Sequence, residues 1–272
     1  MAPFDKRERR RLGYDEVMTH EDGVPCCTLS STFGNSQRAS YDQRLASRQR
    51  SQQAVPSYSR LTAWLDQSTE DESLRDMPKS NAGTQLRVQA LTPDLWPALE
   101  DLFGKWGASN GCWCMYWRLG GAYRGRREEN KQALRNIVSS GHPPGLLAFD
   151  GDLAVGWCQL TPREAIPWLD HMWWFRRVDA LPVWSISCFF VRRRYRRQRV
   201  MTHLILAALK AAKRAGAAAL EAYPIDTDVP NSTSNMFTGA AATFARAGFR
   251  EVARRAPARP IVRHDLKGIR AR

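Results

Sequence analysis

Apolar and polar residues change rhythm along the second two-thirds of the chain, and each change marks an element. Leu86-Arg-Val88-Gln-Ala90 alternates with the period of a strand, and Thr92-Pro93-Asp94 then supplies a cap, a first-turn proline and a first-turn acid for a helix. That helix should reach about Phe103, with Pro97 giving a kink or a delayed start. A Gly- and aromatic-rich loop, Gly107 to Gly125, surrounds Cys112-Trp-Cys-Met-Tyr-Trp117, and a second helix runs from about Arg127 to Ser140, stopping at Gly141 and Pro143-Pro144. Leu146 to Phe149 and Ala154 to Cys158 flank Asp150-Gly151, a dipeptide suited to a tight hairpin turn.

Beyond a looser, Trp-rich passage at residues 162–182, Val183 to Val191 is a continuous apolar, β-prone run. Such a run suits a central strand covered on both faces. Val200, Leu204, Ile205, Ala208, Leu209 and Ala212 then recur at helical spacing up to a cap at Gly216. Ala219 to Tyr223 reads as a fifth strand, set beside the central one by a right-handed crossover. A last helix ends at Gly248, and Phe249 to Val252 with Ile261 to Leu266 forms a closing pair. The predicted class is α/β, a mixed sheet with helices on both faces.

The first 83 residues read differently. Ser30 to Ser59 is rich in Ser, Gln and Arg and poor in aliphatic residues, too little apolar surface to offset the entropy of ordering. Leu61 to Leu65 can form a docking turn, and Asp71 to Gly83 has linker composition. The expected organisation is a disordered segment and linker over 1–83 and a folded domain over 84–272. Limited proteolysis of the full chain should therefore leave a stable core beginning between Asp71 and Leu86; a protease-resistant N-terminal fragment would overturn that division.

Composition narrows the class further. With 43% apolar and 25% charged residues the chain suits a globular protein, and no run approaches the roughly 18 apolar residues of a membrane span. The opening MAPFDKRERRR has no apolar run behind its basic residues, so the expected location is cytoplasmic and the six cysteines are expected reduced. Cys112-x-Cys114 lacks the second pair or spaced histidines of a zinc site, so no metal is expected. The net charge of +14 lies wholly in residues 86–272, because residues 1–85 carry 12 basic and 12 acidic side chains. Six arginines fall between Arg192 and Arg199, and eight basic against two acidic residues between Arg250 and Arg272. Such fields attract phosphate-bearing partners.

The unit Val183 to Tyr223, a strand entering an arginine-rich turn and then a helix and a strand, resembles the cofactor-binding core of the GNAT N-acetyltransferase superfamily. Ala245-Arg-Ala-Gly248-Phe249 resembles the Gly-Phe that closes that fold. Gly111 to Arg118, the stretch Pro143 to Ala148, and Glu221-Ala-Tyr-Pro224 resemble one bacterial subgroup with a Cys-Trp-Cys-Met loop. The resemblance implies a GNAT-like, mostly antiparallel mixed sheet and an acyl-CoA cosubstrate, with acetyl transfer to an amine of a small molecule or peptide.

The physical basis is that amides at a helix N-terminus, aided by the macrodipole, bind the pyrophosphate of coenzyme A. The superfamily's turn places small residues at two positions. Here the matching stretch is Arg196-Arg197-Gln198-Arg199-Val200-Met201, followed by Thr202, so Arg199 and Met201 occupy the two small positions and the turn is degenerate; the Arg199 guanidinium can stand in for backbone contacts, and Met201 offers no such replacement. The resemblance assigns cofactor contacts to these seven residues and sets Phe189, Phe190 and Val191 of the central strand beside the thioester. A tyrosine acid is common in the superfamily where this chain has Phe244. Glu221 and Tyr223, at the end of the neighbouring strand, are the remaining catalytic candidates, and packing roles compete for them, as for Trp113, Trp117, Trp168, Trp173 and Trp174. Two other readings stand beside the enzyme: a catalytically silent relative serving as an interaction protein, and a basic nucleic-acid-binding module resting on the two arginine clusters.

Overall fold

The structure is a computed structural model that describes residues 86–230, 232 and 236–266, with two dipeptide strands, Met18–Thr19 and Pro25–Cys26, paired antiparallel. The expected disorder of residues 1–83 and the docking turn at Leu61 to Leu65 otherwise lie outside the described residues.

The domain strands are β1 (Arg87–Ala90), β2 (Gly145–Asp150), β3 (Leu153–Pro162), β4 (Trp184–Val191), β5 (Ala219–Ala222), β6 (Arg250–Ala256) and β7 (Arg259–Asp265). They form one seven-stranded sheet in the order β1-β2-β3-β4-β5-β7-β6, in which only β4 and β5 run parallel. This is the mixed, mostly antiparallel α/β sheet that the sequence predicted, and the crossover joins its two parallel members. The helices are α1 (Trp96–Phe103), α2 (Tyr116–Leu119), α3 (Arg127–Ser139), α4 (Val200–Arg214) and α5 (Ala241–Arg246). Pro97 gives a delayed start: Pro93–Leu95 is a 3-10 turn, and the α-helix begins at Trp96.

Alternation along the strands sorts side chains to two faces. Val155, Ile186, Phe189, Leu220 and Val262 join Leu204, Ile205 and Ala208 of α4 and Phe244 of α5 in one core. On the other face Leu147, Phe149 and Trp157 meet Leu99 and Phe103 of α1 and Leu134 and Val138 of α3. A third cluster, with Phe175, Tyr223 and Ile261, lies beneath the Trp-rich passage. Gly156 sets how closely α4 approaches the sheet, since a Cβ there would stand 2.6 Å from Val200 Cγ1.

One turn differs from its sequence reading. Asp150 pairs with Leu153, so the two-residue loop is Gly151-Asp152 rather than Asp150-Gly151. Gly151 has φ +57° while Asp152 stays at negative φ, which fits glycine at the first central position of a type II′ turn. A Cβ on Gly151 would meet nothing within 4 Å, so the cost of Gly151→Val is conformational. Thermal denaturation should show a loss of about 1 kcal/mol, and an unchanged melting temperature would refute the glycine requirement. No helix among the described residues is long and apolar enough to cross a membrane.

Candidate active site

The site begins where two parallel strands part. β4 pairs with β5 only through Trp184↔Leu220, Ser185↔Glu221 and Ile186↔Ala222. After β5 the chain reaches Tyr223 and then Pro224, which has no N–H to continue a ladder. On its other edge β4 shifts register against β3 between Gln159↔Cys188 and Leu160↔Ile186, leaving Ser187 as the extra residue of a bulge. Cys188 to Val191 is thus held by β3 and unpaired toward β5, while the carbonyls of Ser187 and Val191 are taken by the Trp117 and Arg196 side chains. Phe189 is buried against Phe244, at 6.0 Å between ring centroids, and Phe190 faces Phe103 on the opposite side at 5.6 Å. Val191 ends the strand opposite Gly156.

The arginine turn follows at once. Arg192 ion-pairs with Asp101 and donates through Nε to Ala154 O at 2.7 Å, fixing the chain as it leaves the sheet. Tyr195 donates its hydroxyl to Asp150 at 2.8 Å, Arg196 Nε donates to Val191 O at 3.3 Å, and Gln198 Nε2 donates to Arg194 O at 2.7 Å. Arg197 and Arg199 lie at φ +64° and +60°, the left-handed region that normally selects glycine. Of the two small positions of the turn, Arg199 keeps a glycine-type backbone as the cap residue of α4, whereas Met201 lies inside the helix; Arg197, though left-handed, is not one of them. The N-terminal amides of α4, those of Val200, Met201 and Thr202, open beside this turn. Met201 turns inward, its Sδ 3.1 Å from where a Cβ on Gly239 would lie, on the wedge beside Phe189.

The Cys-Trp-Cys loop underpins the bulge from the other side. Trp117 donates its indole N–H to Ser187 O at 2.9 Å; Gln159 Nε2 donates to Cys114 O at 3.0 Å, and Gln159 Oε1 accepts from Ser187 Oγ at 2.8 Å. Asn130 of α3 clamps the loop by donating to Gly111 O and Tyr123 O at 2.8 and 2.7 Å. Sequence reasoning missed Gln159, Ser187 and Asn130. The available signal was a buried amide and a serine interrupting otherwise apolar strands. Of the five tryptophans weighed, Trp113 and Trp117 are buried, Trp168 and Trp174 half-buried, and Trp173 exposed.

Glu221 and Tyr223 sit elsewhere, inside an ionic cluster beneath the Trp-rich passage, at 2% and 0% exposure. Glu221 Oε1 accepts from Arg263 at 2.6 Å, and Oε2 accepts from the Tyr223 hydroxyl at 3.1 Å. Tyr223 in turn accepts from Arg163 at 2.6 Å and lies 2.9 Å from Ser185 Oγ, while Arg163 and Arg263 reach out to Asp170 and Asp179. Burial pushes the Tyr223 phenol well above its ordinary pKa. Every polar atom of the two candidates is engaged within the protein. Phe244, fully buried between Phe189 and Phe249, offers no proton.

Much of the second arginine cluster is likewise committed. Arg250 pairs with Asp265, Arg254 with Glu251 and Asp226, and Arg263 with Glu221 and Asp179. Arg255 donates to the carbonyls of Trp174, Arg176 and Arg177. The turn adds Arg193, Arg194, Arg196, Arg197 and Arg199, all exposed. A groove of about 340 Å³ between α1 and α3, lined by Glu100, Lys105, Trp113 and Arg127 among others, contains none of them.

An acetyltransferase (GNAT) family model matches residues 108–249, which hold the Cys-Trp-Cys loop, the half-open strand, the arginine turn and the closing Gly-Phe. Among solved structures, the chain is similar to a GNAT-family acetyltransferase from Listeria monocytogenes (13% identity, 68% of this chain and 97% of that one, TM-score 0.44). It is also similar to the PaiA N-acetyltransferase of Thermoplasma acidophilum in complex with coenzyme A (15% identity, 66% and 99%, TM-score 0.40). A third is yncA of Salmonella typhimurium, a putative acetyltransferase with its cofactor acetyl-CoA (10% identity, 68% and 96%, TM-score 0.41). No protein of curated function matches. The family model covers more than half of the chain, and on it the chain belongs to the acetyltransferase (GNAT) family.

Proposed function

We propose that the chain is an acyl-CoA-dependent N-acyltransferase, moving an acetyl group to an amine of a small molecule or peptide, and that its Cys-Trp-Cys-Met loop marks the bacterial subgroup it resembles. The observation that carries this reading is the pair of left-handed arginines, Arg197 and Arg199, at the N-terminus of α4 beside the open half of β4. A non-glycine residue held at positive φ costs about 1 kcal/mol or more, and such strain persists where the surrounding structure imposes it, often at ligand sites.

The residues present fit the cosubstrate. Amides of Val200, Met201 and Thr202 and the guanidinium groups of Arg196, Arg197 and Arg199 suit a pyrophosphate, with Gln198 as a neutral donor beside them. Bound acyl-CoA supplies the activated thioester. Main-chain N–H groups among Phe189, Phe190 and Val191 are suited to polarise its carbonyl. Glu221 and Tyr223 enter as positioning residues, holding β5 and β7 to the Trp-rich passage, and the proton is left to solvent or the acceptor.

Calorimetric titration of the full chain with acetyl-CoA at two salt concentrations tests the reading. One saturable site is expected, and release of free coenzyme A thiol with an amine panel then identifies the transferase. Binding without transfer to any amine favours the silent relative. Absence of acetyl-CoA binding, with steeply salt-dependent binding to duplex DNA, would replace the reading by the nucleic-acid module.

A further inference from the structure

The CxC loop carries one feature that neither the fold nor acyl transfer explains. Cys114 Sγ lies 3.7 Å from Cys188 Sγ, so two thiols separated by 74 residues are in direct contact. Cys188 is the strand residue directly after the Ser187 bulge, and Cys114 sits on the loop whose carbonyl holds Gln159. Cys114 and its neighbour Trp113 are both at positive φ, +54° and +45°. The Trp157 indole N–H, 3.1 Å from Cys114 Sγ, fixes that sulfur in place against Cys188. The two thiols differ in access, since Cys188 is half-buried and Cys114 only 3% exposed.

We propose that Cys114 and Cys188 form an oxidation site, which a peroxide converts into a disulfide linking the Cys-Trp-Cys loop to β4. The half-buried Cys188 meets the oxidant first. Its thiolate attacks the peroxide, the O–O bond breaks, and Cys188 becomes a sulfenic acid as water leaves. Cys114 then attacks the Cys188 sulfur; an S–S bond forms, the S–O bond breaks, and the Cys114 proton leaves with the hydroxyl as a second water. The two sulfurs are oxidised by one electron each, and the peroxide is reduced by two. A disulfide needs a sulfur separation of about 2.05 Å, an approach of about 1.7 Å from the present contact. The contact with Cys188, and then burial, push the Cys114 thiol well above its ordinary pKa, in keeping with Cys114 acting second. Cys158 faces the opposite core, and its sulfur contacts the Gln159 carbonyl instead.

The full-length reduced protein is treated with hydrogen peroxide, alkylated and digested with chymotrypsin, whose cut after Trp113 separates Cys112 from Cys114. The expected result is a Cys114–Cys188 cross-linked peptide, a mass loss of two hydrogens and recovery of both thiols with dithiothreitol. Cys188→Ser and Cys114→Ala should each abolish the cross-link, whereas Cys112→Ser should leave it. Peptide mapping of the unsubstituted protein decides the matter even if a variant does not fold. Cys188 recovered unmodified or as sulfinic acid, or a cross-link through any other cysteine, overturns the proposal. The readout is independent of acyl transfer, so an inactive protein leaves it intact.

Discussion

Glu221→Ala is expected to lower the stability of the domain by about 3 to 5 kcal/mol, measured by thermal or urea denaturation. The carboxylate is buried, and it is the acceptor for both Arg263 and Tyr223. Its removal strands a guanidinium that is 7% exposed, and the protonated Tyr223 hydroxyl loses its acceptor. Breaking one side of a buried pair costs far more than the pair contributes, because the remaining charge has lost its compensation without regaining water. Asp179 stays on Arg263, with a side chain 45% exposed, so the outer half of the cluster limits the loss. Glu221→Gln keeps an acceptor and should cost less. These two variants also separate a positioning residue from a base. A Glu221→Gln protein that melts like the parent yet loses acyl transfer at every pH would restore Glu221 as the general base.

The second large effect concerns cofactor affinity. If Arg196 and Arg197 grip the pyrophosphate, replacing both by alanine removes two charge-assisted contacts of about 1.5 to 3 kcal/mol each, and coenzyme A binding should weaken by about a hundredfold or more. Arg199→Gly is a different experiment. Arg199 caps α4 in the left-handed region, so glycine there relieves strain and exposes an amide while removing one guanidinium; affinity should change little or fall. Met201 is the second residue of α4, where glycine costs about 1 kcal/mol of stability. The double change Arg199→Gly with Met201→Gly therefore distinguishes two states of the site. Weaker binding than in the parent means that the arginines are a clamp; stronger binding means that the long side chains obstruct a vestigial anion site. Calorimetry at a temperature where both proteins remain folded reads the difference.

The sequence was most informative where a local rule decides the outcome. The alternation at Leu86 to Ala90, the apolar run into β4 and the helical spacing of α4 are each set by short-range periodicity, and the observed elements follow them within a residue or two. The hairpin was located by its glycine but displaced by one position, because turn centring depends on which residues pair across the strands. The loss of small residues from the arginine turn was plain from the residue types. That Arg199, at one of those positions, keeps a glycine-like angle and that Arg197 beside it does the same was not, since intrinsic preference argues against both and only the surrounding packing imposes them.

By itself, then, the sequence determined the α/β class, the order of the elements and the position of the basic turn ahead of α4, because these depend on residue type and spacing along the chain. Three-dimensional packing alone decided the rest. It set the Ser187 bulge with its Gln159 and Trp117 supports, enclosed Glu221 and Tyr223 in an ionic cluster, and brought the Cys114 and Cys188 sulfurs together. The physical reason is that these contacts join residues 28 to 74 positions apart, or depend on which sheet face a side chain takes. Pairings of that range are fixed by the collective fit of strands and helices, which no local pattern encodes.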